Sequence, residues 1–379
     1  MKIADRVQQI PPSGIRKFFE IAEEMDDVIS LGVGEPDFTA PWAAREAAIE
    51  SLKDGKTSYT ANRGMRELRE AIAKRVSVQY DFTYDPDTEV LVTAGASEAL
   101  DVAFRALVDP GDVVAIAQPS YISYVPGVTF AGGEPLPVPT HEEDDFKLTR
   151  EVLEANGVAD ADLLVLCYPN NPTGAIMTES ELAEVAAFVR EHDLTVLSDE
   201  IYADLTYGEE HTSIATFEGL RERTVVFNGF SKAYAMTGLR LGYALAPAKT
   251  IGAMNRVHQY SMLSAPTTAQ YAALEALESC DGDVIEMRDQ YNRRRQFVLS
   301  RFEEMGIDCF EAKGAFYVFP ECPWEDTDAF AEQLLQEQGV ALVPGHVFGE
   351  SGTGHLRVSY ATGLDDLREA MARIEAFLD

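Results

Sequence analysis

Between residues 89 and 246 six short apolar runs, EVLVTA, VVAIA, LLVLCY, LTVLSD, TVVFNG and LGYALA, alternate with helical or turn-forming segments. Runs this short with no polar face belong in strands covered on both sides. Strand alternating with helix implies a mostly parallel sheet, because parallel neighbours need a crossover connection long enough to hold a helix. The expected fold class is therefore α/β, a large domain with a mostly parallel, helix-covered sheet. Two crossover helices are legible by their spacing, over 97–107 and over 179–192, the second with Leu182, Val185 and Phe188 or Val189 on one face. Upstream, amphipathic patterns at 46–52 and 65–80 predict two more, preceded by a helix around Arg6 and Val7, a break at 11–14 and a helix over 15–25. Near Pro266 the rhythm stops. Helical patterns over 267–278 and 284–305 give way to short strands around 315–319 and 355–360, with closing helices at 328–338 and 364–378. That mixture predicts a smaller α+β domain, so we expect residues 1–45 as a segment joining the small domain, 46–270 as the large domain and 271–379 as the small one.

Composition narrows the function. With 379 residues, 46% of them hydrophobic, the chain has ample material for cores. Asp and Glu number 64 against 31 Lys plus Arg, a formal net charge of −33. Such a surface repels nucleic acid and anionic membranes. The acidity is spread along the chain in clusters such as 142–145, which predicts a protein kept hydrated in a high-salt cytoplasm. Cys167, Cys280, Cys309 and Cys322 have no zinc-type spacing and read as small core residues, and the six histidines show no metal pattern. The polar start, 2–9, does not look like a signal peptide, and no apolar run is long enough to span a bilayer, so a cytoplasmic location is expected.

In open parallel sheets, ligands bind beyond the carboxyl ends of the strands, so the residues there carry the functional signal. EVLVTA runs into Gly95-Ala96-Ser97 at the start of a helix, whose free N–H groups suit a phosphate. VVAIA runs into Pro119-Ser120-Tyr121, with an aromatic ring able to stack on a flat ligand. LLVLCY leads to Asn170-Asn171-Pro172-Thr173-Gly174, presenting an amide, and LTVLS to Asp199 and Tyr202. TVVFN leads to Ser231 and Lys232, followed by Arg240. A lysine among Phe230, Ala233, Tyr234 and Met236 loses hydration, which favours the neutral amine and makes it a nucleophile toward carbonyls. Each of these has a bland alternative: an exposed loop lysine, a capping aspartate, a core tyrosine, a turn asparagine. Five strand ends that each supply a group one cofactor requires point instead to an aldehyde bearing a phosphate, pyridoxal 5'-phosphate.

The motifs NNPTG at 170–174, SDEIYADL at 198–205, FSKAYAMTGLRLGY at 230–243 and HLRVSYA at 355–361 are highly specific together. Through them the chain resembles the pyridoxal-phosphate aminotransferases of the aspartate aminotransferase superfamily, fold type I, over nearly its whole length. The resemblance implies that Lys232 carries the cofactor as a Schiff base, that Asp199 pairs with the pyridine nitrogen, and that Asn171 and Tyr202 bind the ring oxygen. It implies that Ala96, Ser97, Ser231 and Arg240 hold the phosphate and that Tyr121 stacks. Arg357 is similar to the arginine that takes the substrate α-carboxylate, with Gly34 as its backbone companion. Tyr59 resembles a tyrosine that reaches the phosphate of the neighbouring subunit, which implies a homodimer. By residue alternation alone, Arg357 shares a strand face with Ser359 and could equally be solvated.

The reaction implied is ping-pong transfer of an amino group from an L-amino acid to a 2-oxo acid, with aspartate and 2-oxoglutarate as the first choice. Aromatic or alanine-type specificity stays open, as do a β-eliminating lyase or a decarboxylase on the same scaffold. A non-catalytic sensor is the remote alternative, and the chain carries no DNA-binding extension that would favour it. The triplet Arg293-Arg294-Arg295, in a stretch rich in acidic residues, reads as surface or helix-packing ion pairs.

Overall fold

The computed structural model describes residues 2–12, 14, 25, 27–80 and 82–379. The helix expected over 15–25 falls almost wholly outside them; Asp5–Gln8 is helical as predicted. Twelve strands are described: β1 (Ile29–Ser30), β2 (Val90–Thr93), β3 (Val113–Gln118), β4 (Glu134–Pro139), β5 (Leu163–Cys167), β6 (Thr195–Asp199), β7 (Thr224–Gly229), β8 (Gly242–Leu245), β9 (Tyr317–Val318), β10 (Val340–Ala341), β11 (Val343–Pro344) and β12 (Leu356–Ser359). Seven of them form one sheet in the order β2-β8-β7-β6-β5-β3-β4. All its neighbours are parallel except β8, which runs antiparallel to β2 and β7. The fold is thus α/β with a mostly parallel sheet. The six apolar runs became β2, β3, β5, β6, β7 and β8, and β2, β5 and β8 are buried at every position.

Several elements escaped the sequence reading, among them β4 and one long helix. β4 has the sequence EPLPVP, and its prolines disguise it because they cannot donate to a ladder. They are tolerated because β4 is the sheet edge and, among the described residues, pairs only with β3. The helix Ala248–Ser261 was passed over between LGYALA and Pro266; its buried positions Ile251, Met254 and His258 are too few to make a clear apolar stripe.

Topology determines where chemistry can gather. β7 returns into β8 through 230–241 without a crossover helix, so the two are antiparallel and that loop lies beyond the carboxyl end of β7. The register pairs Thr93 and Gly229 with the same residue, Gly242, and aligns Cys167 with Asp199 and Asp199 with Phe227. The carboxyl ends of β2, β5, β6 and β7 therefore share one edge.

Against that edge stands the second group of elements. β11, β12 and β9 form an antiparallel sheet, and β1 pairs with β10, which ties the amino-terminal region to the carboxyl-terminal part of the chain. The helices Asp281–Glu304, Thr327–Gln338 and Leu364–Leu378 cover a core that contains Phe302, Phe316, Phe330, Leu334 and Ile374. The same core takes in Tyr202 and Tyr207, which follow β6, so the two groups pack as one body around the strand ends. β12 is buried at all four positions, including Arg357 and Ser359, which removes the solvated-strand alternative for Arg357.

Candidate active site

Beyond the common edge lies a cavity of about 500 Å³, lined by residues of β5, β6, β9 and β12 and of the segments that follow β2, β3, β5, β6 and β7. Eleven of the twelve residues singled out from sequence line it: Gly34, Ala96, Ser97, Tyr121, Asn171, Asp199, Tyr202, Ser231, Lys232, Arg240 and Arg357. Tyr59 does not; it is 81% exposed on the surface loop before the helix Arg66–Tyr80.

Lys232 occupies the loop between β7 and β8. Its Nζ donates to the Gly34 carbonyl at 2.6 Å and lies 5.8 Å from the Tyr202 ring centre and 5.6 Å from that of Phe316. Burial, seconded by the Arg357 guanidinium, pushes its amine down to about 8, with Glu35 and Asp199 acting in the opposite sense. A substantial share of Lys232 is then neutral near pH 8, the state a nucleophile needs.

Asp199 ends β6 and is buried. Burial pushes its carboxyl up to about 6, restrained by the Tyr124 hydroxyl, which donates to Oδ2 at 2.7 Å, and by the Ile201 amide, which donates to Oδ1 at 3.2 Å. It stays ionised at neutral pH and is poised to receive a proton-bearing partner. Tyr124 was missed in the sequence. Its only signal is a position three residues after Tyr121, at the start of the next helix, and the two rings meet edge to face at 5.6 Å.

At the β2 end, Gly95 has a φ of 85°, and a Cβ there would come within 2.7 Å of Arg240 Nη2. Glycine therefore lets the guanidinium close onto the start of the helix Ala96–Leu107, whose unpaired amides and positive dipole end face the cavity. Arg240 itself is held in the left-handed region at φ 53° and donates to the Thr237 carbonyl at 2.9 Å. This end of the cavity is built for an anion.

Arg357 enters from β12. Its Nη1 donates to Asn171 Oδ1 at 2.9 Å and its Nη2 to the Gly32 carbonyl at 2.5 Å, while the rings of Tyr317 and Phe348 lie 4.7 and 4.6 Å from its guanidinium carbon. Nε is buried and has no hydrogen-bond partner among the described residues. A buried guanidinium with an unmet donor is costly unless an anion meets it, and a planar carboxylate matches its fork. Tyr202 and Tyr317 share a hydroxyl contact of 3.0 Å, and burial raises both above the usual phenol range. Tyr317, Glu35 and Gly32 belong to the site but escaped the sequence reading, since each lies in a short segment whose partners are brought by distant strands.

Elsewhere, Arg294 forms a two-pronged ion pair with Asp37 at 2.7 and 2.9 Å, and Arg295 donates to the Ala312 carbonyl at 2.8 Å, so both serve helix packing. All four cysteines are free. Among the described residues no group of His, Cys, Asp or Glu could hold a metal ion, and no helix is long and apolar enough to cross a membrane.

The cavity thus unites a depressed amine, a buried carboxylate, an anion cradle and an unsatisfied guanidinium. A phosphorylated pyridine aldehyde fits this donor set, and an amino acid carboxylate fits what remains. The family described as aminotransferase class I and II matches residues 26–374. The chain is 50% identical to the putative aminotransferase YugH of Bacillus subtilis over 99% of its own length and 98% of that protein's. It is 44% identical to an aspartate aminotransferase of Pyrococcus abyssi, covering 100% and 98% respectively. It superposes on the crystal structure titled Pyrococcus protein-A1 with a TM-score of 0.96 and 45% identity, covering 99% and 98% of the two chains. The chain belongs to aminotransferase class I and II, the pyridoxal-phosphate-dependent transaminases of fold type I.

Proposed function

We propose that this transaminase uses Lys232 as both the attachment point of its cofactor and its proton carrier, and that its first donor and acceptor pair is aspartate and 2-oxoglutarate. The observation that carries the mechanism is the Lys232 amine, pushed down to about 8 in a cavity it shares with Asp199 and Arg357. Pyridoxal 5'-phosphate, when bound, supplies an aldehyde that holds an amine and a protonated ring that draws electrons from the α-carbon. Ala96, Ser97, Ser231 and Arg240 are the residues to hold its phosphate, Asp199 to keep its ring nitrogen protonated, Asn171 and Tyr202 to bind its ring oxygen, and Tyr121 to cover its face. Arg357, with Gly34 beside it, orients the substrate by its α-carboxylate without touching the side chain. Lys232 Nζ, once the substrate amine has taken its place, would accept the α-proton and return it to the cofactor's aldehyde carbon, two atoms away across the nitrogen. Burial keeps the amine free to accept, and the aromatic walls exclude the water that would compete.

The aspartate reading is supported by the name of the Pyrococcus abyssi relative. A second reading, a donor with a large uncharged side chain, is favoured by a chamber of about 610 Å³ that shares Ser97, Leu100 and Tyr121 with the cavity. Among the described residues, Asp101 and His346 are its acidic and basic side chains, and Phe104, Phe130, Val347 and Phe348 dominate the rest. A dicarboxylate would need a cation beyond the described residues that line the chamber. Titrating the purified protein with aspartate, glutamate, alanine and phenylalanine, while following the visible cofactor band, names the donor. Pyruvate and ammonia formed without an oxo acid would instead identify a β-lyase. Lys232→Ala should abolish turnover while leaving cofactor binding largely intact, and retained turnover refutes the assignment.

We also propose a homodimer in which Tyr59 reaches the phosphate of the neighbouring subunit, supported by its exposure on a loop that is otherwise pinned: Gln270, fully buried, accepts from the Met65 amide at 2.7 Å and donates to Thr60 Oγ1 at 3.0 Å. The division into 1–45, 46–270 and 271–379 is retained as our proposal, with the β1–β10 pairing in its favour. A cytoplasmic, high-salt setting is supported by the net charge of −33.

A further inference from the structure

His258 lies on the helix Ala248–Ser261 and is fully buried. Both of its ring nitrogens face acceptors. Nδ1 is 2.6 Å from Glu98 Oε1, and Nε2 is 2.9 Å from the Asn62 carbonyl. The other oxygen of Glu98 accepts from the Ala94 amide at 2.5 Å. Ala94 and Gly95 form the turn that carries β2 into the helix Ala96–Leu107, and Glu98 sits in the first turn of that helix. Asn62 belongs to the loop that presents Tyr59; its side chain donates to the Leu263 carbonyl at 2.7 Å, and the Leu263 amide returns to the His258 carbonyl at 3.1 Å. Ring, carboxylate and both loops therefore close a circuit.

Such a circuit is a poor way merely to fill space. A buried polar pair breaks even at best against an apolar filling of the same volume, and it is costly when half satisfied. Neither Glu98 nor His258 lines the cavity, so the pair takes no part in the chemistry described above. What it does hold is the turn whose following residues, Ala96 and Ser97, do line it.

We infer that His258 is a positioning residue: through Glu98 it sets the amides that open the helix Ala96–Leu107, and through Asn62 it ties them to the loop that carries Tyr59. This rests on the reading of that helix end as the phosphate cradle. The loop has a second brace in Gln270, which also donates to the Ala265 carbonyl at 2.9 Å, whereas Ala94 is held to the helix by Glu98. Loss of the pair should therefore be felt first at the cradle.

The test compares holoenzyme of the parent, His258→Asn, Glu98→Gln and the double variant. Each is moved into buffer containing inorganic phosphate, which competes for the cradle, and loss of the visible cofactor band is timed. Both single variants should lose cofactor about tenfold faster or more, and the double variant no faster than the faster single, as expected of two residues acting as one unit. An unchanged rate in folded Glu98→Gln overturns the inference even if its melting temperature falls, since a merely structural pair would change only the latter. Should His258→Asn fail to fold, Glu98→Gln decides alone. A parent protein with no cofactor band refutes the cofactor-site reading instead, and is told apart on that ground.

Discussion

Replacing Lys232 by methionine should stabilise the cofactor-free protein while destroying its activity. The amine titrates at about 8 in the fold against 10.5 in the open chain, mainly because burial disfavours its charge. Between those two pH values the unfolded chain binds more protons than the folded one, so stability rises with pH across the window. Below pH 8 the full difference opposes folding, about 3 kcal/mol at 1.36 kcal/mol per pH unit. Methionine removes that cost in nearly the same volume, but leaves the Gly34 carbonyl without its 2.6 Å donor, a loss of about 1 kcal/mol. The net gain near pH 7 is about 2 kcal/mol, which for a chain of this length raises the melting temperature by about 2–3 °C. Melting curves of the two cofactor-free proteins at pH 7 and pH 10 provide the assay. The gain should be clear at pH 7 and vanish at pH 10. A variant that melts lower at pH 7, or a gain independent of pH, refutes the claim that burial holds the amine down.

Asp199 behaves with the opposite sign: its folded value near 6 lies above the ordinary 3.8, so apoprotein stability falls as pH rises between them. Asp199→Asn should accordingly stabilise the cofactor-free protein at pH 7 by up to about 3 kcal/mol, and not at pH 3.5, while lowering turnover by about 10²–10³-fold. Tyr124→Phe removes the 2.7 Å donor to Asp199; a hydrogen bond to a charged group contributes about 1.5–3 kcal/mol, so turnover should drop at least tenfold with the cofactor still bound. Arg357→Lys keeps the charge but loses the fork, and KM for the amino acid should rise about 10²-fold with a smaller change in kcat. Because the net charge is −33, melting temperature should climb as KCl is raised toward molar concentrations, and a flat profile would remove the high-salt reading.

The parts of this enzyme that were legible in sequence are those where local pattern and long-range role coincide. β5, β6 and β7 are short apolar runs, and each ends in, or just before, the polar residue it delivers to the site, so Asn171, Asp199 and Lys232 could be named from the sequence alone. β4 was not legible because proline at an edge strand erases the β signal that only its neighbour makes sense of. Tyr124 and Tyr317 were hidden for a different reason: both look like core aromatics, and what gives them a role is contact with Asp199 and Tyr202, which lie far away in the chain. Arg357 lay between these cases. Alternation put it on a strand face, but only the packing of β12 between β11 and β9 shows that the face is buried. His258 carried no signal at all, since neither Glu98 nor Asn62 stands at a spacing that would pair with it.

The central claim is that Lys232 holds the cofactor and exchanges it for substrate. The most direct measurement is the visible absorption spectrum of the purified protein in high salt, with pyridoxal 5'-phosphate added, before and after an L-amino acid. The account predicts a yellow band that borohydride fixes irreversibly to Lys232, identified by peptide mass, and that one donor among aspartate, glutamate, alanine and phenylalanine converts to the band of the aminated cofactor. No band after cofactor is added, or a borohydride adduct on any other lysine, would contradict it.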